Sequence, residues 1–151
     1  MNSQLVGAAG VFHVAAELSM RGMVALPSIR NVKGADILVA DPEGKRFAFF
    51  QVKTSQYKVT FWPIGEGARN WTGNDSYYAF VRRVHGNFEV FLEHASVVAR
   101  EAVDAENRAL GRGCKKFGLS WPISGMDAVK GAEERARRQW ETFTLGPKKV
   151  E

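Results

Sequence analysis

Residues 36–53 read DILVADPEGKRFAFFQVK, and the register of this stretch decides how the chain is organised. Two apolar runs, Ile37 to Ala40 and Phe47 to Val52, flank Asp41-Pro42-Glu43-Gly44-Lys45, whose Pro and Gly suit a short hairpin loop. The pattern predicts two antiparallel strands. A loop of Glu43-Gly44, or of the four residues from Pro42 to Lys45, sets Asp36 opposite Gln51, and opposed residues share one face of a sheet. Lys53 stands two residues beyond Gln51, so the period of two returns it to that face within diagonal reach of Asp36. A three- or five-residue loop would shift the register by one and scatter the three groups over both faces.

A carboxylate, an amide oxygen and an ammonium brought together suit phosphodiester hydrolysis. Mg²⁺ takes hard oxygen ligands, and a neighbouring cation stabilises a pentavalent phosphate or helps deprotonate the attacking water. The same residues also read as a strand-capping Asp, a solvent-facing Gln and a strand-end Lys.

The surrounding blocks resemble, in order, the PD-(D/E)XK nuclease superfamily of restriction-endonuclease-like and Holliday-junction-resolvase-like proteins. Gly10 to Gly22 (GVFHVAAELSMRG) looks like the first helix of that family, Val32 to Asp41 (VKGADILVAD) like the strand with the motif aspartate, and Phe50 to Thr54 (FQVKT) like the (D/E)-x-K strand. Asp75 to Val98 looks like the later strands of small bacterial members. The resemblance covers roughly the first two thirds of the chain and implies a central mixed β-sheet flanked by helices. It also implies metal ligation by Asp36 and Gln51, with the Val52 carbonyl a further ligand, Lys53 as the catalytic lysine, and Mg²⁺ as cofactor with Mn²⁺ as a substitute.

Two positions depart from the family pattern. Gln51 stands where an acid is usual and supplies oxygen without charge, which lowers the expected metal affinity. Val11 occupies the position where many relatives carry a first-helix Glu. Glu17 is the only acid in that helix and lies about 240° around it from Val11, so it does not simply substitute. It reads either as a solvated neighbour of His13 or as an accessory metal or water contact from the rim.

The chain has 151 residues, of which 45% are hydrophobic, enough for one substantial core without staples. Residues 1–145 read as a single domain and 146–151 as a frayed tail. Cys114 is the sole cysteine, so no internal disulfide forms. His85 and His94 lack ligand-like spacing for zinc. The start lacks a cationic signal region and no run is long enough to span a bilayer, which together place the protein in the cytoplasm. A net charge of +5 biases the chain modestly toward polyanions. Candidate phosphate contacts are Arg30, Lys33, Lys58 and the pair Arg82-Arg83, along with Arg112 to Lys116. Arg69 and Trp71, in the Gly-rich loop from Pro63 to Asn74, are candidates to grip a phosphate or stack on a base, while Trp71 reads alternatively as a loop anchor.

Elsewhere the pattern predicts a helix from Ser3, as N-cap, to Met20, a short strand Met23–Leu26 beside the Asp36 strand, and a strand Tyr57–Trp62. A hairpin of Tyr77–Val84 and Phe88–Leu92 should turn at His85-Gly86-Asn87. Ser96 is placed as the cap of a helix through Leu110, and Asp127 as the start of a last helix through Phe143, with Glu133-Glu134 meeting Arg137-Arg138 and Trp140 facing inward or toward a partner. Phe117 to Ile123 is ambiguous.

Three functions fit. The first is a Mg²⁺-dependent endonuclease on DNA, with RNA left open and a homodimer expected because relatives often work as dimers. The second is a catalytically inactive nucleic-acid binder on the same fold. The third is a protein-interaction partner in a defence or toxin system.

Overall fold

The computed structural model describes residues 2–28, 34–116 and 118–145. The elements in chain order are α1 (Ser3–Met20), β1 (Val24–Pro27), β2 (Ile37–Ala40), β3 (Phe47–Ser55), β4 (Phe61–Pro63) and a 3₁₀ turn (Glu66–Arg69). They continue with β5 (Ser76–Val84), β6 (Asn87–His94), α2 (Ala95–Gly111), β7 (Ser120–Pro122) and α3 (Ala132–Thr142). Five strands make one mixed sheet in the order β1-β2-β3-β5-β6, with β3 and β5 parallel and the other neighbours antiparallel. The architecture is the expected α/β arrangement, a mixed central sheet flanked by helices.

The β2–β3 hairpin has the four-residue loop. Asp41 and Arg46 close it through an Asp41 N–H to Arg46 carbonyl bond of 3.1 Å. The Asp41 carboxylate accepts from the backbone N–H groups of Lys45 at 2.7 Å and Arg46 at 3.2 Å, so the turn is held by a buried side chain as well as by Gly44. Pairing then runs from Ala40↔Phe47 to Ile37↔Phe50, in the expected register. The β5–β6 hairpin turns on His85 and Gly86 alone, with φ of 49° and 84°. Two successive left-handed residues match the right-handed twist of the flanking strands, and Asn87 already belongs to β6.

Layers form on both faces of the sheet. On one, Val14 and Leu18 of α1 and Trp140 of α3 bury Ile37, Val39, Phe50, Val52, Val81 and Leu92. Val11 is partly buried against the same cluster. Gly10 is what lets α1 lie this close, since a Cβ there would fall 1.8 Å from Thr54 Oγ1. Gly10→Ala must therefore push the helix off β3, although alanine is the better helix former. We expect a net loss of about 1–3 kcal/mol in chemical denaturation, as for other overpacked cores. A variant as stable as wild type would show that Thr54 swings away at no cost.

On the opposite face, Trp62, Trp121, Phe80, Phe91, Tyr78, Val98 and Ala102 pack together. Trp62 and Trp121 face each other across the small β4–β7 sheet. This layer covers β5 and β6, while Val24, Leu26, Phe47 and Phe49 toward the β1 edge stay exposed.

Several boundaries differ from those expected. The strand expected over Tyr57–Trp62 shrinks to β4, because its partner is β7 in a separate two-stranded sheet rather than a strand of the main one. The N-cap of α1 is Asn2, whose side chain accepts from Gln4 N–H at 2.9 Å, rather than Ser3. His94, not Ser96, caps α2 by accepting from Ser96 N–H at 3.2 Å. Asp127 does not open α3, which begins after left-handed Gly131; instead Asp127 accepts from Arg112 at 2.9 Å. Trp140 is buried, and the Glu133–Arg137 and Glu134–Arg138 pairs form at 3.3 and 3.6 Å.

Arg82 is a buried structural cation rather than a phosphate contact. It binds Glu89 at 2.6 Å, Glu133 at 2.8 Å and the Val59 carbonyl at 2.9 Å. Burial pushes the Glu89 carboxyl up, but Arg82 and Arg137 more than offset this and hold it below its usual 4.5. A depressed carboxylate stabilises the fold above its unfolded pKa and loses that contribution as pH falls through the folded value. Wild type should therefore lose more thermal stability than Glu89→Gln when pH drops below about 4.5. Parallel melting curves would show Glu89 to be uncoupled.

Candidate functional site

Asp36 lies at the point where the β2–β3 ladder stops being regular. Pairing ends at Ile37↔Phe50, one step short of the expected Asp36–Gln51 pair. The Asp36 N–H donates to the Phe50 carbonyl at 2.7 Å, and Ser28 N–H donates to the Asp36 carbonyl at 2.8 Å, which ties the residue between β3 and the chain leaving β1. Its carboxylate then takes over a backbone role, since Oδ2 accepts the Val52 N–H at 2.7 Å. The displaced acceptor, the Ala35 carbonyl, receives the Ser28 hydroxyl at 2.9 Å instead. A side chain thus replaces one rung of the ladder, which is why the carboxylate meets β3 at the residue between Gln51 and Lys53.

Gln51 and Lys53 are partly exposed and alternate with buried Phe50 and Val52. Across the parallel ladder they neighbour Tyr78 and Phe80, so they sit where the covered half of the second face meets its open half. Tyr78 is buried and its phenol is pushed up to about 12 by desolvation. It keeps its proton at working pH and does not serve as a general base.

Trp71 reaches this border from the loop after the 3₁₀ turn. It meets Tyr78 edge-on at 5.0 Å and packs on Gly34, where a Cβ would fall 2.7 Å from the indole nitrogen. Gly34 has φ of 86°, so both its conformation and its contact exclude a side chain. Trp71 is the loop anchor, its ring already in contact with the protein.

Arg69 is likewise committed, to Glu66 at 2.7 Å and Glu106 at 2.6 Å, and those two hydrogen bonds raise its pKa. Its charge is matched within the protein rather than free for a phosphate. Lys116 lies 3.9 and 3.8 Å from the same two acids. Lys58 is exposed on the loop after β3. Arg30 and Lys33 lie outside the described residues.

Glu17 is drawn away from the Asp36 site. It pairs with Arg21 at 3.5 Å and lines a groove with Phe88, Glu89, Trp140 and Glu141, formed by β6 and α3 at the other end of the sheet from β2. His13 packs its ring against Phe88 at 4.8 Å.

Asp36 and Gln51 offer hard oxygen donors, the right kind for Mg²⁺. Among the described residues no group of three His, Cys, Asp or Glu side chains is placed to hold a metal ion. A cation here would rest on one carboxylate and neutral oxygens.

The fold matches that of a solved bacterial homing endonuclease, I-Ssp6803I. The TM-score is 0.51 at 16% identity, over 93% of this chain and 89% of that one. This is a likeness of fold, an α/β architecture with a mixed central sheet flanked by helices. No protein-family model matches the sequence, and no curated protein matches it. Among the described residues, no helix is long and apolar enough to cross a membrane.

Proposed function

We propose that the protein is a Mg²⁺-dependent DNA endonuclease of the PD-(D/E)XK type, working with a weakly held metal. The observation that carries this reading is the Asp36 carboxylate fixed on the Val52 N–H, between Gln51 and Lys53 on β3. The fold it shares with a homing endonuclease supports the same reading.

Asp36 and Gln51 would hold Mg²⁺, with the Val52 carbonyl as a further oxygen and Mn²⁺ as a substitute. Bound there, the ion supplies Lewis acidity to the scissile phosphate and acidifies water. The Lys53 ammonium polarises the attacking water or stabilises the charge that builds on the phosphate oxygens. Water gives up a proton to bulk solvent as its oxygen bonds to phosphorus, the bond to the leaving sugar oxygen breaks, and that oxygen takes a proton from solvent, with no covalent enzyme intermediate. With one carboxylate in the site, substrate phosphate would supply further oxygens to the ion, so metal and DNA would bind together.

A second reading, a nucleic-acid binder without hydrolysis, is favoured by the absence of a three-ligand acidic cluster among the described residues. The deciding experiment incubates wild type and Asp36→Ala with supercoiled, linear and branched DNA in Mg²⁺ and then Mn²⁺, following nicking over time. Cleavage by wild type alone supports the nuclease. Inactivity of both on every substrate, with salt-dependent binding retained, sinks it in favour of the binder. Absence of both cleavage and DNA or RNA binding favours a protein-interaction role.

A further inference from the structure

We infer that the cavity between α2 and the β4–β7 sheet binds a guanine nucleotide, with the base inside and the phosphate at the mouth. The cavity measures about 490 Å³, within the range of small-ligand sites. The sequence of α2 makes the room. Ala102, Ala105 and Ala109 recur at helical spacing on the side that meets β7, where larger side chains would close the gap. Phe61 of β4, Leu110 near the end of α2 and Met126 beyond β7 add apolar wall, and they are 52%, 42% and 81% exposed. Large apolar side chains from three separate stretches thus face one concavity instead of the core.

Two acceptors inside the cavity are unmet. Glu106 gives Oε2 to Arg69 at 2.6 Å, while its buried Oε1 has no hydrogen-bond partner among the described residues and the Lys116 ammonium stands off at 3.8 Å. Asp127 gives Oδ2 to Arg112 at 2.9 Å, a bond that holds its carboxyl below the usual range, and its buried Oδ1 is likewise unpaired among those residues. A carboxylate can only accept, and a buried acceptor without a donor is costly. The ligand that relieves both oxygens carries N–H donors at two positions. It need not be a cation, because Arg69 and Arg112 already balance the two charges. Guanine meets this description, with N1–H and the N2 amino group side by side on a flat, weakly hydrated body. Adenine and cytosine offer only an amino group, and uracil only a ring N–H. A fatty chain would cover the apolar wall and leave both oxygens unmet. Lys115, exposed on the rim, makes no ion pair among the described residues, so its ammonium is available to a phosphate. Asp36, Gln51 and Lys53 do not line this cavity, and the inference stands apart from the nuclease reading.

The test is isothermal titration calorimetry on the full chain in EDTA with GMP, guanosine and AMP, beside Ala109→Trp and Lys115→Ala. Wild type should bind GMP saturably, and AMP about tenfold more weakly, because it leaves an oxygen unmet. Ala109→Trp fills the cavity and should abolish binding. Lys115→Ala should weaken GMP several-fold and leave guanosine unchanged. If Ala109→Trp fails to fold, the Lys115→Ala comparison carries the test. Four results would overturn the proposal: no saturable binding of GMP by wild type into the millimolar range, AMP as tight as GMP, a folded Ala109→Trp that binds like wild type, or a Lys115→Ala that does so. Binding is read without metal and without cleavage, so its failure and the failure of the nuclease reading are told apart.

Discussion

Asp36→Asn is expected to keep the fold and lose metal-dependent cleavage by about 100-fold or more. The asparagine amide oxygen still accepts the Val52 N–H that Asp36 Oδ2 now receives at 2.7 Å, so the irregular rung survives. What disappears is the site's anionic donor, and with it the charge that, on the nuclease reading proposed above, would hold a divalent ion beside neutral Gln51. Asp36→Ala removes both. It leaves the Val52 N–H without its acceptor, at a cost of about 1–3 kcal/mol if that donor is shut away from water. The two variants thus separate roles that a single alanine substitution merges. Asn should melt near wild type and be inactive, whereas Ala should be inactive and less stable. Cleavage retained by a well-folded Asn variant would move the chemistry away from Asp36. If both variants melt like wild type, the carboxylate is not holding the strand.

The hairpin that presents this site was legible because each of its parts is local. Pro42 and Gly44 mark the turn, the two apolar runs set the register, and the observed pairing follows that register as far as Ile37↔Phe50. The final step was not legible. Whether Val52 N–H meets a backbone carbonyl or a carboxylate depends on how the chain approaches from Ser28, and no period-of-two pattern encodes that. Asn2, His94 and Gly131 show the same limit at helix starts: adjacent residues compete for the cap, and tertiary contacts choose between them. Asp127 has the chemistry of a cap but is taken by Arg112. The β4–β7 sheet was hidden because three-residue strands carry almost no periodicity and pair across a large sequence separation. Arg69 and Trp71 show the same limit in a loop: the sequence left Trp71 open between a base contact and a loop anchor, and the contacts with Glu106 and Tyr78 that hold the two side chains in the fold lie far or unmarked in sequence.

Arg135→Leu is expected to be the most damaging of these substitutions to stability, at about 3 kcal/mol or more. The guanidinium donates to Glu93 at 2.7 Å and to both oxygens of Glu101 at 2.8 and 3.0 Å. Both carboxylates are buried. Glu93 also accepts from Gln139 at 2.9 Å, and Glu101 from the Trp121 indole at 3.0 Å, so the network ties α3, β6, α2 and β7 together. Leucine fills part of the volume but strands two buried anions beside each other, and breaking a buried pair from one side costs about 3–5 kcal/mol. Because the Arg135 side chain is 36% exposed, water screens part of that and sets the expectation at the lower end. For a chain of this length the melting temperature should fall by roughly 6–12 °C. Arg135→Lys keeps the charge without the planar fork that spans both acids, and should fall between the two. A leucine variant that melts within a degree or two of wild type would mean that solvent reaches Glu93 and Glu101 and that the network links the two layers without stabilising them.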